Sequence, residues 1–236
     1  MISIIIPVYN HAKELDSCLN SIKNQTYKNY EVVVVDDASR DGVKKIIHKY
    51  RSKFGISFNF YENSENKGAP FTRNRGFRKS KGEYVLFCDA DLILRPNMLE
   101  EMYSKLKEKP EASYVYSSFF WGKKKFKLFD FDAEKLRQMP YIHSSSLIRR
   151  EHFPKSGWDE RIKRLQDWDL WLTMLNEKHA GVWIDQTLFR VVNIRGTMSG
   201  WMPSVVYKIF PFLPKVAKYN NAIRIVQEKH GIIKKV

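Results

Sequence analysis

The chain has 236 residues, 43% of them hydrophobic, enough to bury a core in one domain or in one domain with an appendage. Lys and Arg number 41 against 26 Asp and Glu, for a formal net charge of +15 and a pI near 9.7, which suits nucleic acid, anionic lipid or a phosphorylated substrate as partner, or solubility alone. Cys18 and Cys88 each stand alone in an apolar pattern, which excludes a disulfide framework and a Cys-based zinc site.

The opening Met1-Ile2-Ser3-Ile4-Ile5-Ile6-Pro7 lacks a basic leader, and no window approaches the roughly 18 apolar residues of a membrane span. A cytosolic setting is expected, with attachment to the inner face of the membrane allowed. From residue 1 to about 120, strand-like and helix-like segments alternate, which predicts an α/β domain with a mostly parallel central sheet flanked by helices. The predicted strands are Ile2 to Val8, Tyr30 to Val35, Ile56 to Tyr61, Tyr84 to Cys88 and Ser113 to Phe119. Leu15, Leu19 and Ile22 have helical spacing, as do Val43, Ile46 and Ile47, and Pro96 opens a helix carrying Met98, Leu99, Met102 and Leu106.

Past residue 120 the alternation fails. Lys123-Lys124-Lys125 and Lys127 punctuate an aromatic stretch (Phe119, Phe120, Trp121, Phe126, Phe129, Phe131) that reads as a loop or hairpin over the site. A strand is predicted at Ser144 to Ile148, a helix at Trp168 to Glu177 and a strand at Gly181 to Val192, before Pro203, Pro211 and Pro214 break up a basic tail.

Four segments carry acidic or polar groups where apolar runs stop: Ile4 to Asn10, Asp36-Asp37, Asp89-Ala90-Asp91 and Gln166-Asp167-Trp168-Asp169. In open α/β sheets, ligands bind outside the carboxyl ends of the strands, so these groups face a crevice. Asp89-Ala90-Asp91 places two acids where both can reach a hard cation, Mg²⁺ or Mn²⁺; the same pattern also serves loops whose Asp side chains accept backbone hydrogen bonds. Asp36-Asp37-Ala38-Ser39 ends the second strand. Asp37 is positioned to accept from a base N–H or ribose hydroxyl, and Ser39 or Asp41 to cap the following helix.

Asn66-Lys67-Gly68-Ala69-Pro70 leads into Arg73-Asn74-Arg75-Gly76, a glycine turn that delivers cations to a helix start suited to phosphate, unless the cations simply solvate a helix face. In Gln166-Asp167-Trp168-Asp169, aromatic neighbours can lift the Asp167 carboxyl toward the range of a general base. The bland alternative makes Asp167 or Asp169 an N-cap and Trp168, Trp171 and Leu172 core.

In this order, the segments resemble glycosyltransferase family 2, inverting enzymes of the GT-A fold that move sugars from nucleotide diphosphates. The resemblance spans residues 2 to about 199. Pro7-Val8-Tyr9-Asn10 resembles the family's opening segment, Asp36-Asp37-Ala38-Ser39 its nucleoside segment, Asn66 to Gly76 its phosphate-side helix, Asp89-Ala90-Asp91 its metal motif and Gln166-Asp167-Trp168 its acceptor-side motif.

The resemblance implies a Rossmann-like GT-A domain over residues 1–199 and a basic helical extension over 200–236, with a place in polysaccharide and cell-envelope synthesis. It implies that Pro7, Tyr9 and Asp37 hold the base, that Lys67 and Ala90 line the nucleotide-sugar site, and that Asp89 supports the ribose side and the metal. Asp91 would bind Mg²⁺ or Mn²⁺, Arg73 would neutralise the diphosphate, and Asp167 would take the proton from an acceptor hydroxyl. His143, Gln166 and Trp168 are the expected acceptor contacts.

The chain departs from the family at three places: Gln166 stands where Glu is frequent, Val192-Asn193-Ile194 precedes Thr197-Met198-Ser199 without the usual His, and the Gln-x-x-Arg-Trp signature of processive synthases is absent. Transfer of one sugar per acceptor is therefore expected, from a UDP-sugar to a glycan or lipid-linked saccharide.

The tail over residues 200–236 holds Lys208, Lys215, Lys218, Arg224, Lys229, Lys234 and Lys235 against the single acid Glu228, interleaved with Trp201, Tyr207, Phe210, Phe212 and Tyr219. It is either an interfacial helix on anionic lipid or a cover packed on the domain. A sugar-phosphate nucleotidyltransferase shares the sheet and the acids, but Asn10-His11-Ala12-Lys13 is not its glycine-rich loop. Nucleic-acid binding rests on charge alone and is not expected, since the cations are scattered and form no known motif.

Overall fold

The computed structural model describes residues 1–192 and 213–233. In chain order the elements are β1 (Ile2–Val8), α1 (Ala12–Lys23), β2 (Tyr30–Asp36), α2 (Val43–Phe54), β3 (Phe58–Glu62), α3 (Ala69–Lys79), β4 (Tyr84–Phe87), β5 (Leu92–Leu94), α4 (Met98–Glu108), β6 (Tyr114–Trp121), β7 (Lys124–Phe126), α5 (Ala133–Gln138), β8 (Leu147–Arg149), α6 (Gln166–Asn176), β9 (Gly181–Val191) and α7 (Pro214–Lys229). The domain boundary expected at 199/200 lies outside the described residues, as do Asn193 to Phe212, with the proline breaks Pro203 and Pro211 and the aromatics Trp201, Tyr207, Phe210 and Phe212.

One nine-stranded sheet runs β3-β2-β1-β4-β8-β6-β9-β5, with β7 added to β6. Its first four strands are parallel, Ile2 pairing with both Tyr30 and Tyr84. Helices cover both faces of this half, which is why β1, β2 and β4 read as near-continuous apolar runs. Beyond β4, antiparallel β8 turns the sheet, and β6 and β9 restore a parallel pair.

The helices bury the stripes their spacing predicts. α1 sinks Leu15, Cys18, Leu19 and Ile22, and α4 sinks Met98, Leu99, Met102 and Leu106. α3 lies so close to β1 and β2 that a Cβ at Gly76 would meet Ile5 and Val35 side chains, which explains a glycine in mid-helix despite its propensity cost. Cys18 and Cys88 are free thiols buried in the core with their Sγ atoms 3.7 Å apart.

Several sequence expectations are corrected here. The strand predicted at Ser144 begins only at Leu147, because local bonds hold residues 143–146 in a loop: Ser146 Oγ donates to the His143 carbonyl (2.8 Å) and the Ser145 N–H to His143 Nδ1 (3.1 Å). The strand predicted from Ile56 starts at Phe58, after a short 3-10 turn at Gly55–Ser57. Helix α2 is not capped by Ser39 or Asp41: its N-cap is Gly42 in the left-handed region (φ 92°). Asp41 instead accepts from the Ala12 N–H at the start of α1 (2.8 Å), and Ser39 Oγ accepts from the Asn10 N–H (2.9 Å). Neither Asp167 nor Asp169 caps α6, whose N-cap is Leu165.

α7 packs on the domain through buried Val216, Ala222 and Val226. Its end is pinned by Asp169 of α6, which pairs with Lys229 Nζ at 2.7 Å and His230 Nε2 at 2.8 Å. Lys229 also reaches Asp159 at 2.9 Å. Among the described residues, no helix is long and apolar enough to cross a membrane.

Candidate active site

The ends of β1, β2 and β3 open onto a groove of about 590 Å³ lined by Tyr9, Ala38, Ser39, Arg40, Glu62, Asn63 and Glu65 among others. Two residues in the left-handed region, Asn10 (φ 54°) and Ala38 (φ 65°), turn the chain away from the strand ends. The two turns are locked together, since the Arg40 N–H donates to Asn10 Oδ1 at 2.8 Å while the Asn10 N–H donates to Ser39. Tyr9 stands 45% exposed at the groove, and Pro7 is half-buried opposite Val35.

Asp37 lies beneath this groove and braces the glycine turn. Its Oδ1 accepts from Asn63 Nδ2 (2.6 Å) and the Lys67 N–H (2.9 Å), and its Oδ2 from the Gly68 N–H (2.8 Å). The amides expected to greet a phosphate at the start of α3 are thus already engaged at Lys67 and Gly68. Gly68 makes this possible by adopting φ 89°, a backbone that L side chains rarely take. The Lys67 ammonium lies 3.6 Å from Glu65 and over the Phe71 ring. Next door, Asp36 accepts from the Ser39 N–H, and burial raises its pKa.

Arg73 occupies the centre of the site. It is 7% exposed, with its guanidinium 4.6 Å from the centre of the Trp158 ring. Nη2 donates to Asp89 Oδ1 at 2.7 Å and Nη1 to Gln166 Oε1 at 2.9 Å. One cation from α3 therefore joins the acid after β4 to the first residue of α6. Both terminal nitrogens are engaged inside the protein, so this guanidinium orders the site's own polar groups first.

The acids share one electrostatic neighbourhood. Burial alone would raise the Asp89 pKa, but the charges of Arg73 and His143, with the bonds from Arg73 and Ser144, reverse this and hold it below the ordinary value. Asp91 goes the other way: burial, with the Asp89 carboxylate adding to it, pushes its pKa up to about 7. Burial also raises Asp167, with His143, the Trp168 N–H and Arg73 pulling back and Asp89 adding. Asp91 and Asp167 both sense the charges of Asp89 and Arg73, and the Arg73 bonds to Asp89 and Gln166 set the segment after β4 beside the start of α6. Two carboxyls are thereby poised high around one ionised anchor, a pattern in which different environments separate acid and base roles.

His143 packs against the rings of Phe119 and Phe189 and senses the charges of Asp89 and Asp167. Burial lowers its pKa against the opposing pull of both carboxylates. Because the Ser145 N–H is an obligate donor to Nδ1, the proton of the neutral ring resides on Nε2.

Ala90, between the two acids, is buried at the turn. The oxygens of Asp89 and Asp91 suit a hard cation, and among the described residues no group of three or more His, Cys, Asp or Glu could hold a metal. Mg²⁺ is ordinarily held by one or two carboxylates, with substrate phosphates and water completing the shell, and this donor set fits that arrangement.

Trp168 is corrected. It is fully buried, with its indole N–H donating to the Leu136 carbonyl, so it belongs to the core and offers no surface to an acceptor. Gln166, by contrast, is bound by Arg73 Nη1, at the first residue after Leu165, whose left-handed backbone (φ 57°) starts α6. Asn74, part of the Arg73-Asn74-Arg75-Gly76 run, holds the backbone of Trp158. Its Nδ2 donates to the Trp158 carbonyl (2.9 Å) and its Oδ1 accepts from the Trp158 N–H (2.8 Å), which fixes the indole that backs Arg73.

Residues 3–157 match the model of the family described as glycosyl transferase family 2. The chain belongs to glycosyl transferase family 2. Among its relatives, an uncharacterized glycosyltransferase of Haemophilus influenzae is 29% identical over 193 residues, which cover 75% of this chain and 63% of that protein. The chain spans between 39% and 63% of the length of the first curated relatives it matches.

Among solved structures, residues 1–349 of S. aureus TarS in complex with UDP-GlcNAc superimpose with a TM-score of 0.73 at 19% identity, covering 98% of this chain and 73% of that fragment. A mannosyltransferase from Pyrobaculum calidifontis in complex with GDP-Man and Mn²⁺ gives 0.68 at 18% identity, again covering 98% of this chain and 73% of the other. These are likenesses of fold, and the fold is the GT-A architecture that the family resemblance implies.

Proposed function

We propose that this family 2 chain is an inverting glycosyltransferase that moves one sugar from a nucleotide-diphosphate donor, a UDP-sugar, to a hydroxyl of a glycan or lipid-linked saccharide. The observation that carries this reading is the Arg73 guanidinium joining Asp89 at 2.7 Å to Gln166 at 2.9 Å, which sets the Asp89-Ala90-Asp91 segment beside the segment that begins Gln166-Asp167. The ligands of the related folds, UDP-GlcNAc in TarS and GDP-Man with Mn²⁺ in the Pyrobaculum enzyme, support a nucleotide-sugar donor and a divalent cation here.

In this reading the nucleoside lies in the groove beside Tyr9 and Pro7. Asp37 has three of its roughly four acceptor positions filled, which leaves one for a base N–H. Lys67 and Ala90 border the nucleotide-sugar path. Asp89 and Asp91 hold Mg²⁺ or Mn²⁺, which when bound neutralises charge on the leaving diphosphate.

Arg73 acts mainly as a positioning residue that keeps Asp89 ionised. Asp167 accepts the proton of the incoming hydroxyl as the hydroxyl attacks the anomeric carbon from the face opposite the leaving group. His143, donating through Nε2–H, and Gln166 orient the acceptor. The enzyme is placed in the cytoplasm, peripheral to the membrane where its acceptor is lipid-linked.

The test is a thermal-shift panel of UDP- and GDP-sugars with and without Mn²⁺, followed by analysis of released nucleotide. A Mn²⁺-dependent shift and release of nucleoside diphosphate support the assignment. Pyrophosphate release from a nucleoside triphosphate and sugar phosphate would replace it with nucleotidyl transfer.

A further inference from the structure

The aromatic stretch after residue 120 forms a hairpin, β6 turning at Gly122 (φ 58°) into β7, with Trp121 opposite Lys124 and Phe120 opposite Lys125. Lys123, Lys124, Lys125 and Lys127 are all exposed on it, and the sequence from Tyr114 to Phe129 contains no acid. Among the described residues, Lys123, Lys125 and Lys127 form no ion pair. Arg190 of β9 adds a further cation, its guanidinium 4.3 Å from the centre of the Phe120 ring and bonded to the Gly122 carbonyl.

The sheet register fixes where this charge stands. Val191 is paired on one side with Trp121 and on the other with Leu92, the residue after Asp91. The Gly122 N–H donates to the Val191 carbonyl and the Val192 N–H to the Asp91 carbonyl, each at 2.9 Å. With strands about 4.8 Å apart, the root of the hairpin is roughly 10 Å from the metal motif, within the span of a bound saccharide.

We propose that the β6–β7 hairpin is the acceptor's docking strand and that the acceptor is a negatively charged saccharide chain, carrying phosphate or carboxylate groups beyond the reacting sugar. The inference rests on the glycosyl-transfer reading and gives its acceptor a chemical class. A membrane surface is the weaker occupant. The hairpin exposes no large apolar side chain for insertion, since Phe119 and Phe126 stack on each other at 5.1 Å and Phe119 on Phe189 at 5.2 Å. Exposed lysines beside half-buried Phe120 and Trp121 suit a chain of alternating rings and charges, with ammonium groups meeting the anions as point charges.

The experiment uses the full chain and the triple variant Lys123→Gln, Lys125→Gln, Lys127→Gln. Binding is read by fluorescence anisotropy with labelled oligogalacturonate, a glycerol-phosphate oligomer and neutral maltohexaose, at low and high salt. The expected result is salt-sensitive binding of one or both anionic oligomers, weak binding of maltohexaose, and about tenfold loss in the variant. The nucleotide-sugar thermal shift should be the same in both proteins.

The choice between the anionic probes assigns the charge to carboxylate or to phosphate. Equal binding by the variant overturns the proposal, as does equal affinity for a single-stranded DNA of matching charge. Lysine-dependent sedimentation with phosphatidylglycerol vesicles, without oligomer binding, would reassign the hairpin to the membrane. A wild-type chain that binds the oligomers but shows no shift with any nucleotide sugar removes the transfer reading itself, a failure distinct from that of the hairpin.

Discussion

Arg73 and Gln166, 93 positions apart in the chain, are joined by a 2.9 Å hydrogen bond while the same guanidinium holds Asp89 at 2.7 Å. The planar fork of arginine spans two acceptors in fixed geometry, and an ammonium does not. Arg73→Lys keeps the charge but leaves one acceptor without its donor, and should therefore cost about 1–3 kcal/mol in urea unfolding. It should also raise the Asp89 pKa, measurable by carboxyl NMR titration. An unchanged Asp89 titration would refute the positioning role.

Asp167→Asn keeps the shape of the cleft but removes the proton acceptor. Transfer should fall by about 10²- to 10⁴-fold while the nucleotide-sugar thermal shift stays intact. In the wild type, activity should decline as acid protonates Asp167, at a pH above the ordinary carboxylate range because burial raises this group. Loss of donor binding in the variant would move Asp167 out of the base role.

Asp91 makes stability depend on pH. Its folded-state pKa is about 7, whereas an unfolded Asp titrates near 4. Between those values the folded chain binds more protons, so this group's contribution to stability is full below about pH 4 and is lost as pH rises through about 7. Without metal, Asp91→Asn should match the wild type near pH 4 and exceed it at pH 8 by about 4 kcal/mol. Mn²⁺ should narrow the gap at pH 8 by stabilising the wild type alone. Parallel melting curves for the two proteins across this range would count against the assignment.

Asn74→Ala strips both partners from the Trp158 backbone, and buried groups left unpaired cost about 1–3 kcal/mol each. Stability should fall by about 3 kcal/mol, with faster proteolysis between residues 155 and 165. Donor binding is expected to weaken less than acceptor-dependent turnover, since the loosened indole backs Arg73 beside Gln166 rather than the nucleoside groove.

The parallel half of the sheet was legible because strands buried on both faces must be apolar throughout, as Val32 to Val35 and Tyr84 to Phe87 are, and because Leu15, Leu19 and Ile22 keep one helical face. The acids at the strand ends were legible for the same reason, as carboxylates that interrupt otherwise uniform runs. Two short elements were not, β5 with three residues and α5 with six, too few for a periodicity to show, while β7 falls in the stretch read as a loop or hairpin. The contacts of Asp41 and Asn74 were not legible because their partners, Ala12 and Trp158, are distant in sequence and local spacing carries no trace of them. Trp168 followed helical spacing into the core, as the amphipathic alternative for α6 already required.

Asp167 and Asp169 sit two residues apart on the first turn of α6, one next to the Arg73-bound Gln166 and the other, 3% exposed, clasped by Lys229 and His230. Anyone shortening this polypeptide behind β9 would therefore strand a carboxylate in the interior without its counter-ions, directly beside the proposed proton acceptor. The terminal helix is a keystone rather than an appendage, and a crystallographer's trimmed version would report on a different protein.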